Sequence, residues 1–111
     1  MTINYTVTST NYTDIFVAAG LPIPEREYRF HRRRRWRWDY AWPNRLIALE
    51  IQGGVWTKGR HTRGKGYIAD LEKLNEGQLL GWTVLWVTPE QMADGTALRL
   101  VERALIRASM G

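Results

Sequence analysis

The most constraining feature of this chain is Arg45-Leu-Ile-Ala-Leu-Glu-Ile-Gln52, an apolar run with a carboxylate set into it. Pro43-Asn44 precedes it and Gly53-Gly54 follows it, so turn chemistry closes both ends. Eight residues between such breakers are too few for an ordinary helix and suit a strand buried on both faces. Such a strand needs layers above and below it, which an α/β fold supplies. A carboxylate beside Leu46-Ile-Ala-Leu49 costs several kcal/mol to bury unless a cation or donors compensate it, so Glu50 demands a partner.

The flanking sequence supplies the other layers. Glu27-Tyr-Arg-Phe-His31 and Trp36-Arg-Trp-Asp-Tyr-Ala-Trp42 alternate with period two and read as strands. Tyr28 and Phe30 are expected on one face of the first. Trp36, Trp38, Tyr40 and Trp42 are expected to share one face of the second, as core or a dimer interface. Arg32 to Arg35 is the expected hairpin turn. Asp14 to Gly20 reads as a short helix stopped by Gly20 and by Pro22 and Pro24. Tyr67 to Leu80 reads as a helix with Leu71, Leu74 and Leu80 apolar and Gly81 at its C-terminal stop. Thr83 to Val87 reads as a buried strand. Thr88-Pro89 opens a capped element, and Ala97 to Ala108 is an amphipathic helix whose Arg99, Arg103 and Arg107 form a solvated stripe. The order α-β-β-β-α-β-α predicts a three-strand meander and a fourth strand returning parallel by a crossover. The expectation is one α/β domain over residues 1–111, with 1–13 a loose N-terminal arm.

Charge is concentrated in the middle. The net charge is +5 overall, but residues 25–65 alone carry +8. Of 16 basic residues 13 are Arg, which pairs bidentately with phosphate, and Trp is interleaved among them, as a nucleic-acid surface requires. The absence of cysteine excludes a disulfide scaffold, a thiolate zinc site and a cysteine nucleophile. No apolar run approaches the roughly 20 residues of a membrane span, and the N-terminus has no signal-peptide pattern, so a soluble intracellular protein is expected.

Asp39 and Glu50 end consecutive strands. If those strands are antiparallel, the two carboxylates converge. Two readings then stand. Asp39 pairs with an Arg of the 32–37 segment and Glu50 with Arg45 or Lys58, or the two carboxylates share a divalent cation. Hard oxygen ligands, with two His and no Cys, favour Mg²⁺ or Mn²⁺ over Zn²⁺. Gly59-Arg-His-Thr-Arg-Gly64-Lys65 matches the start of a phosphate loop, but Gly66 stands where that loop needs Ser or Thr for Mg²⁺.

Asp39, ten intervening residues and then Glu50-Ile51-Gln52 resemble the PD-(D/E)XK nuclease superfamily. So do Tyr28-Arg-Phe-His31, Trp36-Arg-Trp-Asp39, Leu49-Glu-Ile-Gln-Gly-Gly54, Arg60-His-Thr-Arg-Gly64, Asp70, Lys73, Asn75 and Leu80-Gly-Trp-Thr-Val84. The stretch from Glu27 to Gln91 is similar to small phage-encoded endonucleases of that superfamily, akin to archaeal-type Holliday-junction resolvases, the VRR-NUC group and very-short-patch-repair-like nucleases.

The resemblance implies a restriction-endonuclease-like αβββαβ core, with a mixed, mainly antiparallel sheet flanked by helices. It implies a Mg²⁺-dependent endonuclease, with Mn²⁺ as substitute, acting on branched DNA as a homodimer in the cytoplasm of a bacterial host. Asp39 and Glu50 would bind the metal, with the backbone carbonyl of Ile51 as a further ligand. Gln52 stands where the superfamily usually has Lys. It can orient a water but supplies no positive charge. Glu27 is the preferred third acid, ahead of Glu25 and Asp14; its alternative is a surface ion pair with Arg26 or Arg29. Arg32, Arg33, Arg34, Arg35, Lys58, Arg60, His61, Arg63 and Lys65 would contact DNA, His61 through phosphate or water. Two alternatives are a nicking or repair endonuclease on mismatched or damaged duplex, and a non-catalytic DNA-binding module of the same fold.

Overall fold

The computed structural model describes residues 11–52 and 65–110. Lys58, Arg60, His61 and Arg63 lie outside them, as does most of the expected N-terminal arm. The elements are α1 (Thr13–Ala18), β1 (Glu25–Arg29), β2 (Arg37–Trp42), β3 (Ile47–Ile51), α2 (Lys65–Leu79), β4 (Thr83–Val87), α3 (Pro89–Ala93) and α4 (Thr96–Met110). None of the described helices is long and apolar enough to cross a membrane.

The four strands form one sheet in the order β1-β2-β3-β4. β1–β2 and β2–β3 are antiparallel and β3–β4 is parallel, so the meander and the crossover through α2 are both present. β3 is central, and Ile47, Ala48, Leu49 and Glu50 are all buried. Its start differs from expectation. Pro43–Arg45 forms a 3-10 turn, closed by the Leu46 N–H donating to the Pro43 carbonyl at 3.1 Å, and Leu46 has a φ of 54°. β4 is an edge strand rather than a buried one: Val87 is buried but Trp86 is 41% exposed.

The local stops follow the turn chemistry. Gly20 (φ 81°) and Gly81 (φ 97°) sit just past α1 and α2 in the left-handed region, where a side chain would be strained. After α2, Gly81 N–H bonds the Gln78 carbonyl and Trp82 N–H bonds the Gly77 carbonyl, both at 3.0 Å. Thr88 caps α3 through a reciprocal pair with Gln91, and Pro89 takes the first helical position.

Two cores lie on opposite faces of the sheet. On one face Phe16 of α1 and Val101 and Leu105 of α4 pack on Tyr40, Trp42, Ile47 and Leu49. On the other, under α2, Trp38, Ala41, Ala48 and Trp82 pack with Tyr28, Phe30 and Val84. Tyr28 and Phe30 therefore share a face, as expected. Trp38 does not share one with Tyr40 and Trp42. Side-chain alternation inverts on both strands at the same level. Arg26 pairs with Tyr40 in the register and lies 5.8 Å from its ring centre, whereas Tyr28 pairs with Trp38 on the opposite face. Glu27, between them, has a φ of 51°. A left-handed residue turns the strand over, and period two cannot reveal it.

α2 also departs from expectation. Leu71 and Leu80 are exposed, and the residue it buries is Gly77. A Cβ built on Gly77 would lie 2.4 Å from the Trp38 ring, so the helix seats on the indole through a glycine. Phe30 stacks on the same indole, with ring centres 3.9 Å apart and planes 6° from parallel. The Trp38 Nε1 is buried with no hydrogen-bond partner among the described residues.

Candidate functional site

Backbone pairing of β2 with β3 covers Tyr40↔Leu49, Ala41↔Ala48 and Trp42↔Ile47 and then stops. Side chains take over at the next level. The Asp39 backbone N–H donates to Glu50 Oε1 at 2.8 Å, and the Ile51 N–H donates to Asp39 Oδ2 at 2.7 Å. The strands are thus laced by the two carboxylates where their ladder ends. The convergence expected from antiparallel neighbours is present, and it places Ile51 two residues past the segment paired with β2.

Arg45 is not the partner of Glu50, and Lys58 lies outside the described residues. Lys73, reaching down from α2, donates to Glu50 Oε2, and its ammonium lies 5.2 Å from the Trp38 ring centre. Glu50 is 6% exposed. Burial pushes its carboxyl from about 4.5 up to about 7, Lys73 pulls it down, and the Asp39 charge pushes it up. Glu50 therefore faces one described cation, Lys73, and a second carboxylate, Asp39. Lys73 is one of the residues that carry the resemblance in the sequence, but no spacing rule connects it to Glu50 across 23 residues and a crossover.

Gln52 follows β3, and its N–H donates to the Val87 carbonyl at 2.7 Å. Glu27 is exposed and stands level with Asp39, since its neighbours Arg26 and Tyr28 pair with Tyr40 and Trp38. Among the described residues no group of three or more carboxylate or imidazole side chains is gathered, so Glu27 is not brought into a three-acid set. Lys65 begins α2.

Arg32, Arg33, Arg34 and Arg35 form the exposed connection between β1 and β2. It is internally fastened. His31 Nδ1 accepts the N–H groups of Arg33 (3.1 Å) and Arg34 (3.0 Å), while its Nε2 lies 3.5 Å from Glu76 of α2. Arg29 Nε donates to the Arg34 carbonyl at 3.2 Å. Arg34 is already engaged: its guanidinium lies 3.9 Å over Trp36 and 3.6 Å from Glu72. Arg32, Arg33 and Arg35 have no ion-pair partner among the described residues.

No family model matches the chain. It is 29% identical over 100 residues to an uncharacterized protein of Mycobacterium tuberculosis, found in two strains. The match takes in 86% of this chain and 35% of the relative, so the chain spans about a third of the length of the curated relatives it matches. No solved structure matches.

Proposed function

We propose that this chain is a metal-dependent endodeoxyribonuclease with a restriction-endonuclease-like core, selective for branched DNA. The observation that carries the reading is the Asp39–Glu50 pair at the end of the β2–β3 ladder, with Lys73 against it. The mixed four-strand sheet flanked by helices supports the reading.

The donor set suits a hard divalent cation. Glu50 is buried, its carboxyl is pushed up to about 7, and Asp39 adds a second carboxylate that Lys73 alone does not balance. Asp39, Glu50 and the Ile51 carbonyl would hold Mg²⁺ or Mn²⁺. When bound, the cation supplies Lewis acidity toward phosphate oxygen and lowers the pKa of a water. Lys73 brings to Glu50 the positive charge that Gln52 cannot supply, and it is the residue we assign to stabilise charge building on the scissile phosphate. Gln52 orients water through its amide. Arg32, Arg33 and Arg35 hold the DNA backbone on the α2 side of the sheet. Symmetric cutting of a junction requires a two-fold dimer.

The test is cleavage of an end-labelled immobile four-way junction and a matched linear duplex, with Mg²⁺ and with EDTA. Paired Mg²⁺-dependent cuts near the branch, lost in Glu50→Gln while binding persists, are expected. Cutting of both substrates removes the junction selectivity and leaves a nicking or repair enzyme. One observation favours a second reading, a binding module without turnover: Lys73 already neutralises Glu50, and Gln52 holds the usual lysine position. Tight binding with no cleavage in Mg²⁺ or Mn²⁺ selects that reading.

A further inference from the structure

Among the described residues β4 presents an unpaired edge with different chemistry on its two sides. The Thr83 N–H donates to the Leu46 carbonyl (2.8 Å), and the Val87 carbonyl accepts from Gln52 (2.7 Å). In a parallel ladder alternate residues direct both backbone groups to the same neighbour, so Thr83, Leu85 and Val87 serve β3. The N–H and C=O groups of Val84 and Trp86 consequently point away from the sheet. β4 ends the strand order, and no described backbone bond reaches those groups. Thr-Val-Leu-Trp-Val contains no charge, proline or glycine, the devices that ordinarily blunt an edge.

On the α4 face a groove runs beside this edge, with Leu85, Leu100 and Ala104 in its apolar lining and Arg103 and Arg107 along it. Neither arginine has an ion-pair partner among the described residues, and both are exposed. On the other face Trp86, which alternation places with Val84, is 41% exposed. A strand added here would meet arginines with one set of side chains and an indole with the other.

We infer that the β4 edge and the Arg103–Arg107 groove bind an extended polypeptide segment in which acidic and apolar residues alternate. The main chain pairs with Val84 and Trp86. Carboxylates on one face meet Arg103 and Arg107, and apolar side chains on the other cover Trp86. Charge decides against a second copy as occupant, because two-fold pairing of β4 with β4 would bring the same arginines together. The inference is independent of the nuclease reading, since α4 lies on the face opposite α2 and Lys73.

The probe is a fluorescein-labelled hexapeptide of alternating Val and Glu, titrated with the full chain by fluorescence anisotropy. Saturable binding is expected, weakened roughly tenfold or more by Arg103→Glu/Arg107→Glu. A Val-Lys hexapeptide should prefer that double variant over the wild type. N-methylation of alternate peptide nitrogens on the pairing edge should abolish binding to the wild type, a control that needs no variant to fold. No binding by the wild type, or equal binding of the methylated peptide, overturns the proposal. So does a folded double variant that binds the Val-Glu peptide as the wild type does. Loss of duplex-DNA affinity in the double variant with peptide affinity unchanged would make the arginine stripe a nucleic-acid surface instead. Concentration-dependent self-association in sedimentation that excludes the peptide would give the edge to a second copy.

Discussion

Asp39 and Glu50 exchange hydrogen bonds through each other's strand: Asp39 gives its N–H to Glu50 Oε1, while its own Oδ2 takes the N–H of Ile51. Each carboxylate thereby replaces a ladder bond. Asp39→Ala leaves the Ile51 N–H without its acceptor and should cost about 1–3 kcal/mol in urea unfolding. Asp39→Asn keeps an acceptor and should cost less. On the nuclease reading both should also abolish Mg²⁺-dependent cleavage, so a stability gap without an activity gap would separate strand lacing from the proposed metal binding.

Glu50 gives stability a pH dependence of defined sign. Its folded-state pKa lies above the unfolded one, so the folded protein binds the proton more tightly. The contribution is fully present below about 4.5 and is lost as pH rises through about 7. In EDTA, unfolding free energy should fall by an amount on the order of 3 kcal/mol across that window, and Glu50→Gln should flatten the profile. Lys73→Met removes the charge that lowers the Glu50 pKa. It should therefore destabilise the protein more at pH 8 than at pH 5.

Gly77 and Gly66 offer a paired test of helix seating. Both lie in α2, and alanine is the better helix former by about 1 kcal/mol in a helix interior. At Gly77 the added methyl would sit 2.4 Å from the buried Trp38 ring, whereas at Gly66 it meets nothing within 4 Å among the described residues. Gly77→Ala should lose about 1–3 kcal/mol by thermal or urea unfolding. Gly66→Ala should be neutral or stabilising. Equal effects would mean that α2 does not rest on Trp38.

His31 organises the arginine turn by accepting two backbone N–H groups on one nitrogen. His31→Ala should speed hydrogen exchange at Arg33 and Arg34 and cost about 1 kcal/mol. If the turn grips DNA, affinity should fall several-fold with Arg32, Arg33 and Arg35 all intact.

Much of this protein was readable in one dimension. Breakers and caps act over a few residues, so Gly20, Gly81 and the Thr88-Pro89 cap marked element ends, and the element order implied the meander and crossover. The apolar run carrying Glu50 announced a central strand with a buried charge, and adjacency of antiparallel strands brought Asp39 to it. Tertiary structure decided the rest. The inversion at Glu27 moved Trp38 away from Tyr40 and Trp42, because a paired irregularity in two strands leaves no mark on alternation within either. It also decided that Lys73 would answer Glu50 and that Thr83–Val87 would lie at an edge. A buried carboxylate states only that it needs a cation. Which cation reaches it depends on how a crossover helix seats on the sheet, and here a glycine against an indole sets that seat.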